Sequence, residues 1–192
     1  AIDLRKYYIS KSLYTIEFFI EYTKSLLPVF FSVKGKIKKV LVMDCDNTMW
    51  KGILGEDGFN GIKMNNETFP GVIFNEIQKI LLNLKNEGAL LAICSKNNLK
   101  DVDNVLTNHP DMLLKNDDFV SKKVNWNDKA SNLIEMSKEL NLGLDSFVFV
   151  DDSEFEIGLI ESKIPTVSTL LVPKNINNYT SMIFFLKNLF FK

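Results

Sequence analysis

VLVMDCDNT, residues 40–48, passes from an unbroken apolar run straight into carboxylates. Val40, Leu41, Val42 and Met43 show no polar alternation. Such a run suits a strand buried on both faces, the condition of a parallel sheet covered by helices. The run stops at Asp44, and Asp46 follows two residues on. Side chains alternate in an extended segment, so both carboxylates are expected on one side, with Cys45 between them turned away.

Outward from this strand the pattern repeats. Residues 89–94 and 147–150 are further apolar strands, and residues 111–115 and 166–172 are expected as shorter ones. Between them lie helical segments at about 70–87, 99–108, 129–140 and 155–162, with Gly88 and Gly143 just past two of their ends. A final helix is expected at 178–191. Alternating strands and helices imply an α/β fold, a three-layer sandwich around a mainly parallel, Rossmann-like sheet. Only a glycine-rich loop (51–63) and one helix separate the first two strands, so the fold should be capless or carry a minimal cap.

The N-terminal part reads differently. Residues 12–30 form an expected helix whose apolar surface is wider than one stripe, so something must cover it. A basic linker with Lys34, Lys36, Lys38 and Lys39 follows. The expected organisation is a helical segment over 1–33, a remnant of or cover for a neighbouring domain, and a catalytic domain over 34–192. Opening on Ala1, the chain is expected to be a piece of a longer polypeptide.

The totals exclude several classes. A formal net charge of -1 over 192 residues offers no general field for nucleic acid or an anionic membrane. Glu17, Glu21 and Lys24 interrupt the long apolar stretch at 13–31, so no spanning helix is expected. Two cysteines cannot make a disulfide framework, and no signal peptide opens the chain; a cytoplasmic location is expected.

Ligands bind beyond the carboxyl ends of strands in such sheets. Those ends carry Asp44, Asp46 and Thr48 after the first strand, Ser95 and Asn97 after the second, and Asp151 and Asp152 after the fourth, while Lys129 opens the preceding helix. Converging carboxylates need a cation, and oxygen-only ligands favour Mg2+, with Asp44, Asp46, Asp151 and Asp152 as candidate ligands. The set suits phosphoryl transfer. Asp44 can attack phosphorus and form an aspartyl-phosphate, and Asp46 can serve as acid and then base. Ser95 and Lys129 can hold the phosphoryl oxygens, with Thr48 and Asn97 also at the substrate side. A receiver-type phosphoacceptor uses similar groups, but there the acid pair follows the first strand; here the pair comes last.

Together, Asp44/Asp46/Thr48, Ser95, Lys129 and Asp151/Asp152 resemble the four signature motifs of the haloacid dehalogenase (HAD) superfamily. MDCDNTMWKGILGEDG (43–58), ICSKNN (93–98), NWNDKASN (125–132) and LNLGLDSFVFVDDSEFE (140–156) resemble, more narrowly, the FkbH-like family of polyketide pathways. That resemblance covers roughly residues 34–172. It implies a glyceryltransferase/phosphatase that takes 1,3-bisphosphoglycerate, removes phosphate and loads the glyceryl unit on an acyl carrier protein. It also implies that Cys45 could carry the glyceryl group before hand-off. Family members often have Asn-Pro after the aspartate pair, where this chain has Ser153-Glu154. A small-molecule phosphatase and a non-catalytic docking module are the alternatives. Cys94, His109, Trp50 and Trp126 read as structural, the two tryptophans as core.

Overall fold

The computed structural model describes Tyr8, residues 14–33 and residues 37–190. Lys34 and Lys36 of the basic linker lie outside the described residues. Five strands form one sheet: β1 (Val40–Met43), β2 (Leu90–Ser95), β3 (Phe119–Val124), β4 (Phe147–Asp151) and β5 (Ser168–Leu171). Their order is β3-β2-β1-β4-β5 and every pairing is parallel. β1 is central, with Met43 opposite Ile93 on one side and Val150 on the other, so all four of its residues are buried. After β1 the chain builds outward through β2 and β3, then returns to build β4 and β5 on the other side. The carboxyl ends of β1 and β4 therefore flank the crevice where strand order reverses, the usual ligand position in open α/β sheets.

Seven helices accompany the sheet among the described residues: α1 (Ile16–Val33), α2 (Leu54–Asp57), α3 (Gly71–Asn86), α4 (Leu99–Asn108), α5 (Lys129–Leu140), α6 (Glu154–Lys163) and α7 (Tyr179–Phe190). Alternation along β1 divides the core. Leu41 and Met43 pack with Phe74 and Ile77 of α3, Val102 and Val105 of α4, and Ile183 of α7. Val40 and Val42 pack with Leu133 of α5 and Ile160 of α6. These are the three layers expected of the fold. None of the described helices is long and apolar enough to cross a membrane.

The third strand differs from the expectation. Residues 111–115 are an extended connection, and the strand comes later, at Phe119–Val124. Met112 and Leu114 are apolar because they fill the core beside α3, where Gln78 Oε1 accepts from the Leu113 amide at 2.8 Å. β3 itself is an edge strand, and edge strands carry charge that blocks further pairing. Lys122 pairs with Asp103 at 2.6 Å and Lys123 with Glu135 at 3.1 Å. Its polar composition hides it from a search for apolar runs. Trp126 also departs from its reading as core: it is 75% exposed.

Candidate active site

The acidic and hydroxyl candidates sit where strands end, and Lys129 where a helix begins. Asp44 extends β1, its amide donating to Val150 O at 3.0 Å. Ser95 closes β2 and Asp151 closes β4. Lys129 is the first residue of α5, whose N-cap Asp128 accepts from the Ala130 amide at 3.1 Å. A side-chain cap of this kind fixes the helix start, and with it the Lys129 backbone.

Lys129 joins the two strand ends. Its Nζ donates to Asp44 Oδ1 at 2.7 Å and to Asp151 Oδ2 at 2.6 Å. All three side chains are almost wholly buried. Burial alone would push the Lys129 pKa down, but the Asp44 and Asp151 carboxylates more than offset it and hold the ammonium well above its ordinary range. Burial pushes Asp44 up to about 7, against the opposing pull of Lys129; Asp151 adds to the rise, and the Ser95 hydroxyl works against it. Burial and the neighbouring Asp151 raise Asp152.

Carboxylate oxygens of Asp44, Asp151 and Asp152 all lie within 4.8 Å of one another. Three carboxylates thus gather beside one ammonium, and Asp44 is raised chiefly because it is buried, with the nearby Asp151 adding to the rise. An all-oxygen set of this spacing fits a hard divalent cation such as Mg2+.

Asp46 departs from the expectation that it joins this set. Its Oδ1 accepts from Trp50 Nε1 at 2.9 Å and from the Leu54 amide at 3.0 Å, and its Oδ2 accepts from Asn97 Nδ2 at 2.9 Å. The loop after β1 curls back on itself, so Asp46 meets two of that loop's own donors, and Asn97 beyond β2, rather than the acid cluster. A carboxylate offers about four lone-pair positions. Three are filled, which leaves one on Oδ2 for a proton. Asn97 Nδ2 also reaches Ser95 Oγ at 3.2 Å, so Asp46, Asn97 and Ser95 form one hydrogen-bonded row beside Asp44.

Two other expected residues lie beneath the site. Thr48 is fully buried, and its Oγ1 has no hydrogen-bond partner. Cys45 is also fully buried and belongs to the cluster of Leu41 and Met43, on the opposite face from Val42. Burial first, then the neighbouring Asp44, drives its thiol pKa well up. A thiol held protonated inside a core is a poor nucleophile. Ser153 caps α6, accepting from the Glu156 amide at 3.3 Å, and its own amide donates to Asp151 Oδ1 at 2.9 Å. Ser153 thus fixes both the helix start and the Asp151 orientation.

Sequence reasoning missed the residues that hold the loop. Asn47 adopts a left-handed φ of 51°, a conformation Asn tolerates better than most residues, and its Oδ1 accepts from Lys51 Nζ at 2.8 Å. Gly52 has φ +108°, and a Cβ there would stand 2.7 Å from Asp57 Oδ2, so only glycine fits. Gln78 Nε2 donates to Met49 O at 3.1 Å, and Tyr179 Oη donates to Thr48 O at 2.9 Å. Gln78 did leave a signal: it is a polar residue on the face of α3 that Phe74 and Leu81 mark as buried.

Known structures share this architecture. The N-terminal part of the protein BF1531 from Bacteroides fragilis, containing a phosphatase domain complexed with Mg, matches at 32% identity. Its TM-score is 0.84, over 98% of this chain and 50% of that one. A predicted HAD-like family hydrolase from Porphyromonas gingivalis matches at 11% identity with a TM-score of 0.54, over 78% of this chain and 98% of that one. The chain has the HAD superfamily phosphatase fold. An uncharacterized protein from Corynebacterium glutamicum matches at 15% identity with a TM-score of 0.51, over 80% of this chain and 98% of that one. This HAD-fold chain spans about half the length of the Bacteroides fragilis structure. No family model matches it, and no curated protein does.

Proposed function

We propose that the chain is a magnesium-dependent phosphatase acting on a small phosphate ester through an aspartyl-phosphate on Asp44. The observation that carries this is the gathering of Asp44, Asp151 and Asp152 oxygens within 4.8 Å beside Lys129, at the reversal point of the sheet. Asp44, Asp151 and Asp152 would hold the cation, which would supply charge neutralisation and orientation for the phosphoryl group. Asp44 attacks phosphorus as the ester P–O bond breaks, and Asp46 Oδ2 delivers its proton to the departing alkoxide. A water then attacks the aspartyl-phosphate, giving its proton to Asp46. Inorganic phosphate leaves and the Asp44 carboxylate is restored. Lys129 and Ser95 stabilise charge on the phosphoryl oxygens. The test is phosphate release from an aryl phosphate with Mg2+: it should vanish in chelator and in Asp44→Asn. No release by the wild-type protein would contradict the reading.

The motif strings at 43–58, 93–98, 125–132 and 140–156 support a finer form of it, the FkbH-like glyceryltransferase/phosphatase. In that form an acyl carrier protein thiol attacks the acyl-phosphate carbonyl of 1,3-bisphosphoglycerate, and the C–O bond to phosphate breaks. Asp44 then takes the remaining 3-phosphoryl group. Cys45, sealed in the core, is not needed for the transfer. The exposed Ile16, Phe19 and Ile20 of α1 support the companion idea that residues 1–33 cover a neighbouring domain of a longer polypeptide. Intact-mass measurement of a carrier protein after incubation with 1,3-bisphosphoglycerate tests the finer form. Asp44→Asn should accumulate the 3-phosphoglyceryl thioester, and an unmodified carrier with the wild-type protein would leave only the phosphatase.

A further inference from the structure

A cavity of about 380 Å³ opens directly beside the acid cluster, and Asp152 belongs to both. Its remaining walls come from segments far apart in the chain. Phe69, Pro70, Phe74, Val172, Pro173 and Ile176 give it an apolar lining. Phe69 is 65% exposed there, an aromatic face left to solvent at the lip of a pocket. Two lysines, Lys51 and Lys174, complete the lining.

The charges are arranged unevenly. Asp152, the one carboxylate in the lining, sits on the side of the acid cluster. Lys51 donates to the neutral Asn47 Oδ1 at 2.8 Å, so its charge is not cancelled there. Lys174 pairs with Glu154 at 3.0 Å, but both side chains are largely exposed (89% and 64%), and a pair so open to water holds weakly. Ligand sites commonly run from about 300 to 1,000 Å³, which places this one among the small.

We infer that this cavity is the leaving-group pocket, and that it takes a compact organic phosphate whose alcohol portion carries an anionic group facing Lys51 and Lys174. The inference rests on the phosphatase reading and adds the substrate class to it. The apolar walls hold the carbon skeleton, and the lysines select a carboxylate or second phosphate over a neutral group. A neutral leaving group would meet six apolar side chains and leave both lysines without a counter-charge.

The probes are carboxybenzylphosphonate and its methyl ester, which differ in one charge and are not hydrolysed. Binding to the Mg2+-loaded protein is followed by calorimetry. The carboxylate form should bind about fivefold more tightly, the upper range for a solvent-screened ion pair. The difference should disappear in Lys51→Ala/Lys174→Ala and invert in Lys174→Glu. Both lysines are exposed, so these variants should keep the fold. Equal binding of the two probes, or a preference that survives the double substitution, overturns the inference. Phosphate release from aryl phosphates is read separately: its absence overturns the phosphatase reading, whereas release together with equal probe binding overturns this inference alone.

Discussion

Lys129 Nζ donates to Asp44 Oδ1 at 2.7 Å across 85 residues of sequence, and the same ammonium holds Asp151 at 2.6 Å. Removing it leaves two buried carboxylates with no cationic partner. Lys129→Met should destabilise the metal-free protein by about 3–5 kcal/mol, the range for a broken buried pair. Added Mg2+ should raise the melting temperature of this variant more than that of the wild type, because a second cation can neutralise the same oxygens. Phosphate release should fall by about 10²–10³ with the loss of a preorganised charge on the phosphoryl oxygens. Urea unfolding with and without Mg2+ checks the stability claim.

The pH dependence follows from Asp44. Its pKa is pushed up from the ordinary 3.8 to about 7, by burial first, with Lys129 opposing. A raised carboxyl pKa means that the folded state binds a proton the unfolded state releases. The associated stability is present below about pH 4 and is lost as pH rises through about 7. The metal-free protein should therefore lose melting temperature between about pH 4 and about pH 7, and Asp44→Asn should flatten that part of the curve. Mg2+ competes with the proton, so its stabilisation should be larger at the alkaline end. Thermal melts across this range, with and without Mg2+, read both effects.

Asn97 is placed to position Asp46. Its Nδ2 fixes Asp46 Oδ2 at 2.9 Å and Ser95 Oγ at 3.2 Å. Asn97→Ala removes a hydrogen bond to a charged group, worth about 1.5–3 kcal/mol, so kcat should fall roughly 10- to 100-fold. KM should change little. Trp50→Phe, which removes one of the two donors to Oδ1 of the same carboxylate, should act in the same direction. A change confined to KM would count against the assignment.

Cys45 should prove dispensable for chemistry. Buried among Leu41 and Met43, with its thiol held protonated, it should resist alkylation in the native protein and react only on unfolding. Cys45→Ala should cost on the order of 1 kcal/mol in stability and keep phosphate release. Rapid labelling by iodoacetamide under native conditions, or loss of activity without loss of fold, would show otherwise.

Much of the fold was legible because its signals are local. β1, β2 and β4 are apolar runs that only a buried parallel sheet accommodates, and their polar ends mark one edge. The carboxylates and Lys129 were readable from that edge alone. β3 was not, because an edge strand stabilised by Lys122 and Lys123 pairs has no apolar run to detect. Nor was the turn of Asp46 away from the acid cluster. Strand alternation stops where the chain leaves the sheet, and the left-handed Asn47 with the donors of Trp50 and Leu54 then sets the direction. Tyr179 lay equally out of reach: its bond to Thr48 O spans 131 residues and depends on how α7 docks.

The most direct test of the account is to locate the phosphoryl group on the protein. Asp46→Asn removes the base needed to hydrolyse the intermediate, so a rapid acid quench after mixing with an aryl phosphate and Mg2+ should trap it. Peptide mass spectrometry is expected to find one phosphoryl group on the peptide containing residue 44, and none in the Asp44→Asn/Asp46→Asn double variant. Phosphate release by the wild-type protein with no trapped group at Asp44, or with the group on another residue, would contradict the nucleophilic role on which the mechanism stands.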